Sequence, residues 1–186
     1  AAADALWSPR DPGSFEGLVH YATLAANSHN AQAWRFGQTR DGVAIRPDMS
    51  RALPVADADH HHLYASLGCA AENLMLAAGS TGRSSALDFS PEGDGQVEIA
   101  LGSEGEADPL FETILARQCT RSDYDGRGVS SAELAALEAA ARVDGAEVML
   151  ITDPARIEAV LELILAANAI QVGDPAFAAE LKSWMR

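Results

Sequence analysis

Hydrophobic and polar positions alternate along this chain in blocks of two different periods. Apolar spacing predicts a helix near residues 14–26, then strands near 33–37 and 42–47 joined at Asp41-Gly42. The stretch from Pro47 to Asp59 is rich in Pro and Asp and reads as a loop. A long helix over about 60–79 follows, ended by Gly79 and Gly82. Its Gly68, Ala70, Ala71, Ala77 and Ala78 give it thin faces that let a neighbouring backbone approach closely. Two more strands, near 85–90 and 95–101, flank Pro91-Glu92-Gly93-Asp94-Gly95, a hairpin-turn composition. Beyond them the pattern predicts a helix near 109–117 and another opened by Ser130, with Glu133 in the capping-box position. A buried strand over Glu147 to Thr152 and helices near 154–172 and 175–185 complete the reading. Helices and hairpins mix without regular parallel crossovers, which predicts an α+β class in a single domain over residues 1–186.

Composition narrows the function classes. At 186 residues and 48% hydrophobic, the chain has enough apolar material for an ordinary core. A formal net charge of −14 argues against nucleic acid or an anionic membrane surface as partner, since phosphate backbones demand a basic stripe. No apolar run reaches the roughly eighteen residues of a membrane span. Cys69 and Cys119 have no metal-type spacing and are expected to be reduced thiols, with Cys69 a packing residue on its small-residue helix.

The candidate chemistry concentrates where the first helix stops. Asn27, Ser28, His29, Asn30 and Gln32 offer short polar groups that can bond a planar, amide-like edge, with Trp34 and Phe36 as walls. The same residues are also ordinary helix-stop and turn chemistry. Trp34 is expected to pack in the core beside such a site. Arg117 and Arg121, four residues apart, can present planar donors to a phosphate or form a solvated surface pair.

Ser28, Asn30, Gln32, Trp34 and Phe36 resemble the "S-x-N-x-Q-P-W-x-F" segment of the FMN-dependent nitroreductase family. Arg117, Cys119 and Arg121, within the stretch that runs on to Tyr124, are similar to the "R-x-S-x-R" part of that family's "R-x-S-x-R-x-F/Y" element, with Cys119 in place of the hydroxyl residue. Ser66, Gly68, Ala70, Glu72, Asn73 and Leu74 match the family's "S-x-G-x-A-x-E-N-L" helix, and Glu180, Leu181, Trp184 and Arg186 its "E-L-x-x-W-x-R" segment. The order of the elements is that of the Acg-type branch, whose members resemble a nitroreductase dimer fused into one chain.

The resemblance implies a nitroreductase-like fold, a mixed or antiparallel sheet flanked by helices, of which this chain is the N-terminal half. It implies FMN as cofactor, held by Arg117 and Arg121 at the phosphate and ring edge, by Cys119 at the ribityl or phosphate region, and by Ser28, Asn30 and Gln32 at the ring. The implied activity carries electrons from NAD(P)H to a nitroaromatic or quinone-like acceptor; the alternative is a flavin-sequestering protein without turnover. FMN in this family lies between two halves, so a homodimer or a C-terminal half is the implied partner, with self-association expected through the helix around Gly68. The Ala1-Ala2-Ala3-Asp4 start fits a mature end left by removal of an export signal, hence an extracytoplasmic location, and a cytoplasmic one if no signal preceded it.

Competing chemistries are weaker. Asp57, Asp59, His60, His61 and His62 are metal-ligating types, but adjacent helical histidines point about 100° apart and do not converge. Capping of the helix start by Asp59 is the simpler role. Neither a Gly-x-Ser-x-Gly, a Walker-type phosphate loop nor a His-Glu-x-x-His is present.

Overall fold

The computed structural model describes residues 5–120, 122–143 and 145–185. Its contacts divide the chain into two units, Cys119–Pro175 and the remainder. The class is α+β.

The larger unit opens with helix α1, Phe15–Thr23, whose Ser14 side chain accepts the Gly17 amide at 3.0 Å. Strands β1 (Trp34–Gln38), β2 (Gly42–Pro47), β3 (Ser85–Ser90) and β4 (Gln96–Leu101) form one antiparallel sheet in the order β1-β2-β4-β3. Helix α2, His61–Gly79, links β2 to β3. At the β1-β2 turn Gly42 is required sterically, since a Cβ there would lie 1.9 Å from the Ile99 carbonyl oxygen.

The periods read from the sequence place the core. Val97 and Ile99 on β4 are buried while Glu98 and Ala100 face outward, the alternation of a half-buried strand. On α2, Leu63, Leu67, Ala70, Ala71, Leu74, Ala77 and Ala78 are buried along one side and join Leu18, Tyr21, Val43 and Ile45 in a single cluster. The small residues let α1 lie close to α2, and Asn73 fastens the pair by donating to the Tyr21 carbonyl at 3.1 Å. Cys69 is on the other side of α2, exposed and unpaired, and so is Gly68. The expectation that Cys69 packs in the core is therefore corrected: a 19-residue helix has two sides, and Cys69 falls one residue short of the buried Ala70.

The start of α2 corrects another expectation. Asp57, only 4% exposed, is the principal cap: its two carboxylate oxygens accept the amides of His62 at 2.9 Å and Leu63 at 2.8 Å. Asp59 contributes one longer bond, to the His61 amide at 3.2 Å. The helix begins after His60 in the left-handed region (φ 60°), and that reversal swings Asp57 under the first turn.

Near 109–117 the chain forms a 3-10 turn, Pro109–Thr113, in place of the α-helix expected. Asp108 captures the Leu110 amide at 2.8 Å, and the Thr113 hydroxyl donates to the Leu110 carbonyl at 2.6 Å, so local side chains take bonds that a longer helix needs.

In the smaller unit, helix α3, Ser131–Ala140, carries the expected capping box: Glu133 accepts the Ser130 amide at 2.7 Å and the Ser130 hydroxyl accepts the Glu133 amide. Helix α4, Pro154–Gly173, starts from the Asp153 cap. Residues 147–152, expected as a buried strand, are irregular and exposed, because no strand ladder pairs with them among the described residues. Helix α5, Pro175–Trp184, belongs to the larger unit from Ala176 onward.

The capping geometry predicts that Asp57→Ala lowers stability by about 1–2 kcal/mol in chemical denaturation, whereas Asp59→Ala changes it by less than half as much.

Candidate functional site

The corner after α1 is built by the backbone first. Asn27 is extended, and Ser28–Asn30 make a 3-10 turn in which His29 has φ 50° and Asn30 φ 52°; Gln32, two residues on, has φ 51°. Left-handed geometry costs an L-residue roughly 1–2 kcal/mol, least for Asn, so His29 and Gln32 hold strain that neighbouring bonds must offset. Asn27 supplies two of those bonds. Its amide nitrogen donates to the Ala25 carbonyl at 3.2 Å and its oxygen accepts the Gln32 amide at 2.9 Å, tying both ends of the turn.

Three other segments hold the corner from outside. Arg51 donates through Nε to the Ala31 carbonyl at 2.5 Å while its guanidinium lies 5.1 Å over the Trp184 ring of α5. The 3-10 turn carrying Arg51, Met49–Arg51, is set by Asp48, whose carboxylate accepts the Ser50 amide and hydroxyl and Arg35 Nη2, the last at 2.9 Å. Glu180 of α5 accepts the amides of Val55 at 3.0 Å and Ala56 at 2.9 Å. Phe177 of α5 meets the His29 ring edge-on at 6.1 Å. One short helix thus touches the corner, the Arg51 turn and the loop leading to Asp57.

With the backbone fixed in this way, the side chains of Ser28, Asn30 and Gln32 make no hydrogen bond among the described residues, and Asn30 and Gln32 are exposed. Trp34 is buried in the core as expected, and Phe36, half-buried, sits 6.2 Å from it. Arg117 lies near the same corner: its Nη2 donates to the Leu24 carbonyl at 2.9 Å, at the end of α1. Cys119 belongs to the other unit, and Arg121 lies outside the described residues. The larger unit thus holds Ser28, Asn30 and Gln32 on one turn, with the Arg117 guanidinium at the end of the helix that leads into it.

A small cavity lies under the turn, lined among others by Asn27, Ser28, Gln32, Arg51, Asp57 and Ser66. Its volume of about 10 Å³ accommodates about one water, far below the roughly 300 Å³ of a small-molecule pocket. The corner of this unit is an open polar edge, and no ligand-sized cavity is enclosed beneath it. Among the described residues no three His, Cys, Asp or Glu side chains converge as a metal site. The His61 and His62 rings meet edge to face at 5.2 Å, and Asp57 is engaged by backbone amides.

The supporting residues Arg51, Asp57, Phe177, Glu180 and Trp184 escaped the reading of the sequence as contacts to this corner. Glu180 and Trp184 stand in the "E-L-x-x-W-x-R" segment, so their letters carried a signal, but their partners lie more than a hundred positions away in the chain. No protein-family model matches this chain, and no curated protein matches it.

Two measurements follow from this geometry. Gln32→Gly removes the cost of a left-handed side chain and should leave stability unchanged or raise it by up to about 1 kcal/mol, read from the urea midpoint. The Arg35 hydrogen bond, with those from Ser50, holds the Asp48 carboxyl at about 2, below its ordinary 3.8. A carboxyl with a lowered folded pKa stabilises the fold while ionised, so this contribution is complete above about pH 4 and is lost as the pH falls towards 2. Thermal melts across that range should show a steeper loss for the parent protein than for Asp48→Asn.

Proposed function

We propose that this chain is a nitroreductase-like FMN protein of the Acg type, transferring electrons from NAD(P)H to a nitroaromatic or quinone-like acceptor. The observation that supports this reading most is the corner itself. Ser28, Asn30 and Gln32, in the register of the family's segment, are held on a strained turn with their side chains unengaged among the described residues. Strain kept at a solvent-facing turn, with polar groups left open, suits a site whose bonds are completed by a ligand. The donor set fits the pyrimidine edge of a flavin, which presents both carbonyl acceptors and an N–H donor. Arg117, near the end of α1, fits the negative charge that gathers at the ring edge or the phosphate.

In this reading the serine hydroxyl and the two carboxamides orient the ring edge, and the fixed turn spares the site the cost of ordering them. Arg117 supplies positive charge in a strongly acidic protein, which favours an anionic cofactor locally. When bound, FMN supplies the two-electron chemistry, and the chain supplies position and electrostatics. The corner offers one edge, so a second wall must cover the ring, from another copy of the chain or from a further half of the fold.

The test is FMN affinity by flavin fluorescence titration. Arg117→Ala should weaken binding about tenfold or more, and Asn30→Gly with Gln32→Gly, which glycine tolerates at positive φ, should do the same without lowering stability. Unchanged affinity in both variants would remove the assignment. Steady-state NADH or NADPH oxidation with a quinone acceptor then separates the reductase from a flavin-sequestering protein, which binds FMN without turnover.

A further inference from the structure

The sheet of the larger unit ends on β3, and no described strand lies on the outer side of that edge. β3 pairs with β4 without a bulge, from Ser85 opposite Leu101 to Ser90 opposite Gln96. Two bonds at the end of the ladder fix where its backbone groups point. The Gly102 amide donates to the Ser84 carbonyl at 2.9 Å, and the Leu101 amide turns away from β3 to the Asp41 carbonyl at 2.8 Å. Antiparallel pairs alternate between bonded and unbonded, so Ala86, Asp88 and Ser90 bond to β4, while the amides and carbonyls of Ser85, Leu87 and Phe89 face outward. The side chains of these three lie on the core side of the sheet, since Leu87 is opposite Ile99 and Phe89 opposite Val97. Yet Leu87 is 49% and Phe89 50% exposed, and the Tyr64 ring of α2 meets Phe89 only at its edge, 6.4 Å away. Backbone groups and apolar side chains are thus left open along the same rim. Neither Pro nor Lys, the usual guards of such an edge, occurs in β3.

Charge selects what such an edge would take. On the opposite face of the sheet Asp88 stands directly across from Glu98, both exposed and neither ion-paired among the described residues. Like charges directly opposite one another on a sheet destabilise it, and a cation laid beside Asp88 offsets that repulsion. Residues 85–101, the β3-β4 hairpin, hold Asp88, Glu92, Asp94 and Glu98 and no Lys or Arg, a net −4. Residues 34–47, the β1-β2 hairpin, hold Arg35, Arg40 and Arg46 against Asp41, a net +2. A basic strand is therefore drawn to the β3 edge and not to the β1 edge, and two β3 edges repel each other.

We propose that β3 is a docking edge for an extended, basic segment of a partner protein, which adds to the sheet with apolar side chains beside Leu87 and Phe89 and Lys or Arg beside Asp88. Alternation in the incoming strand supplies both kinds of contact at once, because successive residues face opposite sides. Main-chain bonds to Ser85, Leu87 and Phe89 give the affinity, and the apolar and acidic faces give the choice of sequence. β3 lies at the edge of the sheet opposite β1, the strand that leads out of the flavin corner, so the docking edge does not depend on the flavin reading.

The probe is a short peptide that alternates Lys and Val, blocked at both ends, titrated into the purified protein and followed by backbone-amide NMR and hydrogen exchange. Binding should saturate, shift the Leu87 and Phe89 amides and slow their exchange, and leave the β1 amides unchanged. The same peptide N-methylated throughout keeps its charge but has no amide to donate, and should bind about tenfold or more weaker. With Glu in place of Lys it should not bind. Asp88→Asn with Glu98→Gln should weaken binding of the Lys peptide about three- to tenfold while the urea midpoint stays level or rises, because a repulsion is removed. Absence of saturable binding, equal binding of the N-methylated or the Glu peptide, or Leu87 and Phe89 amides already slow to exchange without peptide would overturn the proposal. No FMN is present in this titration, so its failure and that of the flavin reading are told apart.

Discussion

The amide of Asn27 joins the two halves of a turn that the backbone does not favour, and the candidate site rests on that junction. Its nitrogen donates to the Ala25 carbonyl and its oxygen accepts the Gln32 amide, so both ends of the group are engaged. In return, three left-handed residues within four positions are held in one arrangement. Everything nearby reinforces it. Arg51 takes the Ala31 carbonyl, Trp184 flattens against Arg51, and Asp48 fixes the turn that delivers Arg51. A corner braced from this many directions keeps Ser28, Asn30 and Gln32 ready without help from their own side chains.

The same economy runs through the larger unit. Asp57 caps α2 and lines the small cavity under the corner, so the helix that organises the core and the turn that organises the site share one boundary. Helix α5 contributes little to the core beyond Phe177, but Glu180 and Trp184 make it the brace of the loop between β2 and α2. Charged and aromatic groups here act mainly on backbone atoms. Such contacts are directional, which suits the placing of a turn better than apolar packing does.

Most of the α+β architecture was legible in the chain. The alternation in β4, the small-residue face of α2 and the Ser130-Glu133 box all report local constraints, and local constraints are what periodicity and capping motifs encode. The failures have the opposite character. Residues 147–152 have the apolar content of a buried strand, yet a strand requires a partner ladder, and none is supplied among the described residues. Asp57 and Asp59 are equivalent candidates by spacing; the left-handed His60 decides between them, and no letter of the sequence announces a positive φ at a histidine. At the site, Ser28, Asn30 and Gln32 were readable as a polar cluster, whereas their braces arrive from residues 51, 177, 180 and 184 and became visible only with the fold.

The central claim is that this braced corner is one wall of a flavin site. Equilibrium titration of the purified protein with FMN, followed by the visible absorption of the ring and its fluorescence, addresses it most directly. Saturable binding with a perturbed flavin spectrum, weakened by substitution at Asn30 and Gln32, is the expected result. A spectrum identical to that of free FMN at every protein concentration would contradict the claim and return the corner to the role of a strained turn.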